Sequence, residues 1–225
     1  GTKAFALTGN INNTGLIEVP MGVKLRKIVE DIGGGVPAGR KFKAVQIGGP
    51  SGGCLTEEHM DLTIDFDSLD SAGAMMGSGG LVVMDDKACM IEVARFFMNF
   101  TQKESCGKCV PCREGTKRML KIMGDIVEGR GSMEDIALLE DLSETVTTGS
   151  LCGLGKTAAN PIMTTLRYFR DEYISHVKDK KCPSGVCKKL MTYIIVAQAC
   201  KGCTKCKRVC PVQAIEGVVK QPFVI

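Results

Sequence analysis

The chain lacks several features that would fix its class at once. It has no tryptophan, three tyrosines, eight phenylalanines and two histidines in 225 residues. Its most basic stretch, from Lys178 onward, carries ten Lys or Arg against two acids, Asp179 and Glu216, yet its only aromatics are Tyr193 and Phe223. Base-stacking platforms and the Cys-His order of a zinc finger are both missing, which sets a zinc-dependent nucleic-acid-binding module aside as a distant alternative. No basic-then-apolar leader opens the chain, and no apolar run, Ile194–Ala197 included, approaches the roughly 20 residues of a membrane-crossing helix. A soluble, cytoplasmic chain with neither a membrane nor a nucleic-acid partner is therefore expected. The glycine loop Gly48–Gly53 lacks the Lys-Ser/Thr of a P-loop and the G-x-G-x-x-G order, so it reads as a turn and not as a phosphate cradle.

Cysteine is abundant instead. Twelve cysteines cluster in short motifs, a pattern of metal handling in a reducing compartment rather than of a disulfide scaffold. Cys106-x-x-Cys109-x-x-Cys112, within Glu104–Gly115, sets three thiolates at a pitch that suits one iron-sulfur cubane and leaves one iron unclaimed. Cys152, in the glycine-rich loop Thr148–Gly155, supplies the fourth ligand of a 3+1 4Fe-4S site. The alternative is zinc in the triple-cysteine loop with Cys152 as a core thiol. Colour separates the two, since zinc proteins are colourless and iron-sulfur proteins brown.

Periodicity predicts an α+β chain. In residues 1–84, strands at Lys3–Thr8 and Leu16–Val19 flank the turn Asn12–Gly15. A helix with Leu25, Ile28, Val29 and Ile32 on one face follows, then strands at Phe42–Ile47 and Gly80–Met84, the β-β-α-β-β order of a small β-grasp. Cys54 has no cysteine neighbour and reads as apolar filler. Residues 85–178 read as a four-helix bundle with buried stripes at Met90, Ala94, Phe97, Met98 and Thr101, at Met119, Ile122, Met123 and Ile126, at Ile136, Leu139 and Leu142, and at Leu166, Phe169, Tyr173 and Val177. Ser132 with Asp135 caps the third helix, and Asn160-Pro161 opens the fourth.

An up-down bundle brings the loop holding Cys106, Cys109 and Cys112 to the same end as the loop holding Cys152. At the other end, Cys89, His176, Cys182 and Cys187 form a Cys3His set suited to closed tetrahedral zinc, or else unrelated buried thiols and a solvated histidine. A helix of about 17 residues is roughly 25 Å long, so these groups cannot reach the cluster. Zinc there would anchor the bundle to a connector over 179–190. Residues 191–225 then contain Cys200-x-x-Cys203-x-x-Cys206-x-x-x-Cys210-Pro211, the run of bacterial two-cluster ferredoxins, in which the fourth cysteine belongs to a second cluster.

Glu104–Gly115, Cys152 with Gly153-Leu-Gly155, Asn160-Pro161 and Leu166–Arg170 together resemble the NADH-binding flavoprotein subunit of complex I and its soluble relatives. Residues 1–84 resemble that subunit's SLBB β-grasp domain. The appended ferredoxin run resembles the flavin subunit of multimeric NAD(P)-dependent iron-only hydrogenases, electron-bifurcating ones included, or of some formate dehydrogenases. The resemblance assigns Cys106, Cys109, Cys112 and Cys152 to the family's 4Fe-4S cluster. It implies FMN and NAD(P) sites in a preceding domain rather than here, so that this chain is a non-catalytic electron conduit of an oxidoreductase complex. It also implies a catalytic iron-only subunit and a thioredoxin-like 2Fe-2S subunit as partners, with ferredoxin as a further one. Lys108, Arg113 and Lys117, and around the second motif Lys201, Lys205, Lys207 and Arg208, are expected to favour the reduced, more negative clusters.

Overall fold

In the computed structural model, which describes residues 1–191 and 193–225, the first two apolar runs form β1 (Thr2–Gly9) and β2 (Gly15–Pro20), paired antiparallel from Thr2↔Pro20 to Leu7↔Gly15. Three further strands follow, β3 (Phe42–Ile47), β4 (Gly53–Thr56) and β5 (Gly80–Asp85), giving one sheet of order β2-β1-β5-β3-β4. The last strand is central, parallel to β1 and antiparallel to β3. The short β4 was not expected, because its Gly-Cys-Leu-Thr sequence carries no alternation.

The expected helix after β2 is a π-helical turn, Lys27–Ile32, closed by the Gly33 amide on the Ile28 carbonyl at 2.9 Å. Its Ile28 and Val29 pack with Leu25 on Phe5, Leu7, Val45, Ile47, Leu81 and Val83, one face of the sheet. A short helix α1 (Phe66–Ser71), also not expected, covers the same core with Leu69 and is capped by Asp65 on the Ser68 amide.

The other face carries Ala44, Cys54 and Met84 and is covered by Met90 and Phe169. Over β3 and β4 both sheet faces are covered, whereas β1 and β2 leave their second face largely exposed, so β1 alternates and β3 carries Ala44 and Val45 side by side. Cys54 is fully buried, as filler should be, and its Sγ lies 2.9 Å from Gln46 Oε1, while burial pushes its thiol up to about 12.

The helical layer comprises α2 (Met90–Glu104), α3 (Val110–Val127), α4 (Met133–Gly149), α5 (Gly153–Thr157), α6 (Asn160–Tyr168) and α7 (Arg170–Val177). The stripes of α2 and α3 are buried residue for residue. The Ser132–Asp135 capping box forms reciprocally at the start of α4.

Where one fourth helix was expected, there are two, because the backbone at Phe169 leaves the helical region at φ −130°, ψ 32°. The break turns Phe169 onto the sheet, while Thr165 Oγ1 and Tyr173 Oη, 2.8 Å apart, hold α6 to α7 across it. Two polar contacts fasten α6 to the first part of the chain: Thr164 Oγ1 accepts from the Cys54 amide of β4 at 3.0 Å, and Tyr168 Oη donates to the carbonyl of Ala72, just past α1, at 3.1 Å. Sheet and helices form a single compact unit over Gly1–Leu190.

Met191–Ile225 is a second compact unit. It contains the short helix α8 (Lys205–Val209), a bridge between Glu216 and Val224, and Phe223, which is 1% exposed and is its main buried side chain. Among the described residues, no helix is long and apolar enough to cross a membrane.

Candidate metal centres

The Cys106–Cys112 loop runs directly into a helix start. Cys109 is the extended N-cap of α3, Pro111 sits in its first turn, where a missing N–H costs nothing, and Cys112 follows, 6% exposed. Gly107, at φ +79°, makes the reversal between Cys106 and Cys109 that an L side chain would strain. Arg113 donates through Nη1 to the Gly107 carbonyl and through Nε to Glu114 at 3.0 Å.

Arg113 therefore holds the loop and is not a free cation beside it. Lys117 also lies 3.6 Å from the Glu114 carboxylate, which the Arg113 hydrogen bond and the Lys117 charge hold below its usual range. The positive bias expected from Arg113 and Lys117 is thus partly neutralised by a carboxylate that sequence spacing did not single out.

Cys152 is the extended N-cap of α5, reached from the end of α4 through Ser150. The backbone N–H groups of Gly155 and then Leu154 hold its thiol below the ordinary value, so it is primed as a thiolate ligand. Gly155 allows close approach: a Cβ there would fall 2.4 Å from Ser150 Oγ and 3.3 Å from Cys112 Cβ. Cys106, Cys109, Cys112 and Cys152 line one cavity of about 90 Å³ together with Glu104, Ser105, Ser150 and Leu154. Four thiols on a small, largely apolar cavity, with Glu104 the one carboxylate in its lining, fit a soft-metal cluster.

The Cys3His set also converges. Cys89 is the N-cap residue just before α2, His176 lies in the last turn of α7, and Cys182 and Cys187 lie on the loop after it. All four ligand atoms lie within 4.8 Å of one another and all four residues are buried. Cys89 Sγ and Cys187 Sγ are 3.7 Å apart, and each is 3.4 Å from His176 Nε2. His176 Nδ1 lies 2.7 Å from the Glu172 carbonyl, which orients the ring so that Nε2 faces the sulfurs. Ser184 Oγ donates to the Ala88 carbonyl at 2.7 Å and folds the Cys182–Cys187 loop back against the start of α2.

The three thiols and the imidazole are close enough to share protons. The Cys187 S–H on Cys89 holds the Cys89 thiol below its ordinary value against the effect of burial, and the same contact raises Cys187. Burial opposes charge on His176, but the hydrogen bond and charge of Cys89 outweigh it and raise the imidazole to about 9. The two centres sit at opposite ends of α2, whose 15 residues span about 22 Å.

In the second unit, Cys200, Cys203 and Cys206 are partly or fully exposed and Cys210 follows α8. Cys200 Sγ accepts the Phe223 amide at 3.5 Å, and this bond holds its thiol below the ordinary value.

Residues 92–176 match the family described as the NADH-ubiquinone oxidoreductase-F iron-sulfur binding region. The chain is 54% identical over 222 residues, 99% of its own length and 45% of the relative's, to the NADP-reducing hydrogenase subunit HndC of Solidesulfovibrio fructosivorans. It is 42% identical over 183 residues, 81% of its length and 44% of the relative's, to the second F-type subunit of the NADH-quinone oxidoreductase of Rhizobium meliloti. Among solved structures, the NAD+-reducing [NiFe]-hydrogenase in its H2-reduced state superposes with a TM-score of 0.70 at 30% identity, covering 79% of this chain and 30% of that one. The chain thus spans less than half the length of these relatives.

Proposed function

We propose, from an iron-sulfur binding region of the NADH-ubiquinone oxidoreductase-F type at residues 92–176, that this chain is the electron-conducting part of the flavin subunit of an NAD(P)-linked hydrogenase. The observation that carries the choice of complex is the extent of similarity. The match to the NADP-reducing hydrogenase subunit runs over 99% of the chain and so takes in the four-cysteine run near its end, whereas the quinone-oxidoreductase relative matches 81%. Residues 1–84 are read as a β-grasp domain of the SLBB type, on the strength of the strand order with β1 parallel to β5. Residues 85–178 are read as the cluster-binding helices, 179–190 as a connector and 191–225 as a ferredoxin-like segment.

Cys106, Cys109, Cys112 and Cys152 would hold one 4Fe-4S cluster, and Cys200, Cys203 and Cys206 a second, with Cys210 turned to another. When bound, such a cluster takes up and releases a single electron at a time. The chain's own residues position and insulate it: Gly107 and Arg113 fix the three-cysteine loop, Gly155 lets Cys152 approach Cys112, and Leu154 covers the cavity wall. No general base or nucleophile is needed for this task.

Cys89, His176, Cys182 and Cys187 are read as a structural zinc site. Two thiolates on one tetrahedral zinc stand roughly 3.8 Å apart, close to the 3.7 Å between Cys89 and Cys187. Thiolates on different irons of a cluster stand further apart, so these separations favour one ion.

Purifying the full-length subunit natively and identifying its metals and co-eluting chains tests the proposal. An iron-only hydrogenase catalytic subunit is the expected partner. A molybdenum or tungsten subunit would instead identify a formate dehydrogenase, and absence of iron would end the electron-transfer reading.

A further inference from the structure

Ser150 has a buried hydroxyl that the chain itself leaves without a partner. The residue is 3% exposed, and its Oγ makes no hydrogen bond. Buried hydroxyls are almost always satisfied, and leaving one unpaired costs about 1–3 kcal/mol. Its surroundings are those of the four-cysteine cavity, which Ser150 lines. The space beside Oγ is kept open by Gly155, whose missing Cβ would lie 2.4 Å from Oγ and 3.3 Å from Cys112 Cβ.

A second hydroxyl lies beside Cys112. Ser105 Oγ lies 3.3 Å from Cys112 Sγ. The Gly107 amide donates to the same Oγ at 3.3 Å. That bond occupies a lone pair of Ser105 and leaves its proton free for the sulfur. Two serines from two different loops thus line the cavity with Cys112, one of them already within reach of its sulfur and the other lacking any partner.

We propose that Ser150 and Ser105 are hydrogen-bond donors to the sulfurs of the cluster held by Cys106, Cys109, Cys112 and Cys152, and that they set its potential. The proposal rests on the reading of this cavity as a 4Fe-4S site. Ligand and cluster sulfurs carry more negative charge after reduction, so an O–H directed at one of them stabilises the reduced state more than the oxidised state. Only one electron is exchanged; each hydroxyl keeps its proton and no covalent bond changes. Both hydroxyls therefore make the cluster easier to reduce, and they are positioning residues rather than ligands.

The test uses the full-length subunit loaded with its clusters. The bundle cluster is identified as the paramagnetic signal abolished by Cys152→Ala, and its midpoint is read by EPR-monitored redox titration. Ser150→Ala and Ser105→Ala are each expected to lower the ratio of reduced to oxidised cluster several-fold at a fixed ambient potential, a tenfold drop being about 59 mV for one electron. The iron–sulfur stretching shift seen on transfer to deuterated water should shrink in both.

An unchanged midpoint in Ser150→Ala protein that still carries the signal would overturn the assignment of Ser150. If the signal is missing from the unmodified protein, it is the cluster reading that fails. A purely structural serine would behave differently in the iron-free chain. Ser150→Ala should leave thermal stability there unchanged or raised, because no protein partner is lost, and a clear loss of stability would count against the proposal.

Discussion

Lys43 Nζ and Glu172 Oε1 form an ion pair at 2.5 Å with side chains only 15% and 13% exposed, joining strand β3 to helix α7. The same Glu172 accepts the Met90 amide at the start of α2, and Lys43 also donates to the Ala88 carbonyl, so one charge pair fastens the sheet to both ends of the Cys3His set. Removing one partner leaves the other charge poorly solvated. Lys43→Met should cost about 3 kcal/mol in chemical denaturation, the low end for a buried pair because some solvent remains. The double variant with Glu172→Met should cost less than the two single variants summed, which a double-mutant cycle reads directly.

The Cys3His quartet should hold its metal independently of iron. Cys187→Ser is expected to remove one zinc per chain by elemental analysis while leaving the iron content and visible spectrum intact, and to lower the melting temperature. Zinc binding must displace the protons shared by Cys187 and His176, so affinity should rise with pH and the metal should be lost progressively on acidification. A variant that loses iron together with zinc would mean that the two centres are not separate.

Gly155 tests the geometry of the four-cysteine cavity. A methyl group at this position meets Ser150 Oγ at 2.4 Å with the Cys112 Cβ behind it, so α5 must shift and carry Cys152 away. Gly155→Ala should cost about 1–3 kcal/mol by overpacking and should sharply lower cluster occupancy, measured as iron and acid-labile sulfide per chain. Zinc content should not change. Full iron loading would show that Cys152 does not need this approach.

Much of the site was legible in the sequence because cysteine spacing and helix periodicity are local signals. The stripe of α2 from Met90 to Thr101 and the capping box of Ser132 appear where the pattern put them. Convergence of Cys152 on the three-cysteine loop, and of Cys89 on His176, followed from counting helices and their short connections.

What escaped depends on contacts distant in sequence. The break at Phe169 has no Gly or Pro to announce it, and it arises because the ring packs on Ala44, Cys54 and Met84. The strand β4 is fixed by pairing with β3 and not by its own residues. Ser150 carries no signal in the sequence, since burial without a partner cannot be read from a residue type. Glu114, two residues past Cys112, was visible in the sequence but lacked a reason to matter until Arg113 and Lys117 were seen to share it.

Phe223 should decide whether the residues around Cys200 fold as their own unit. It is 1% exposed, its amide is bonded to Cys200 Sγ, and a Cβ on Gly217 would touch its ring at 2.7 Å. Among the described residues of 191–225 Phe223 is the buried apolar side chain, so Phe223→Ala removes most of the apolar burial described there, and loss of a buried phenylalanine costs about 3–5 kcal/mol. A small unit has no more than that in reserve. Hydrogen exchange in the cluster-free protein should therefore show amides of 191–225 losing protection in this variant, with the protection of 1–190 unchanged, as expected for a separate cooperative unit. Loss of protection in α2 and α3 as well would show instead that the two parts of the chain unfold together.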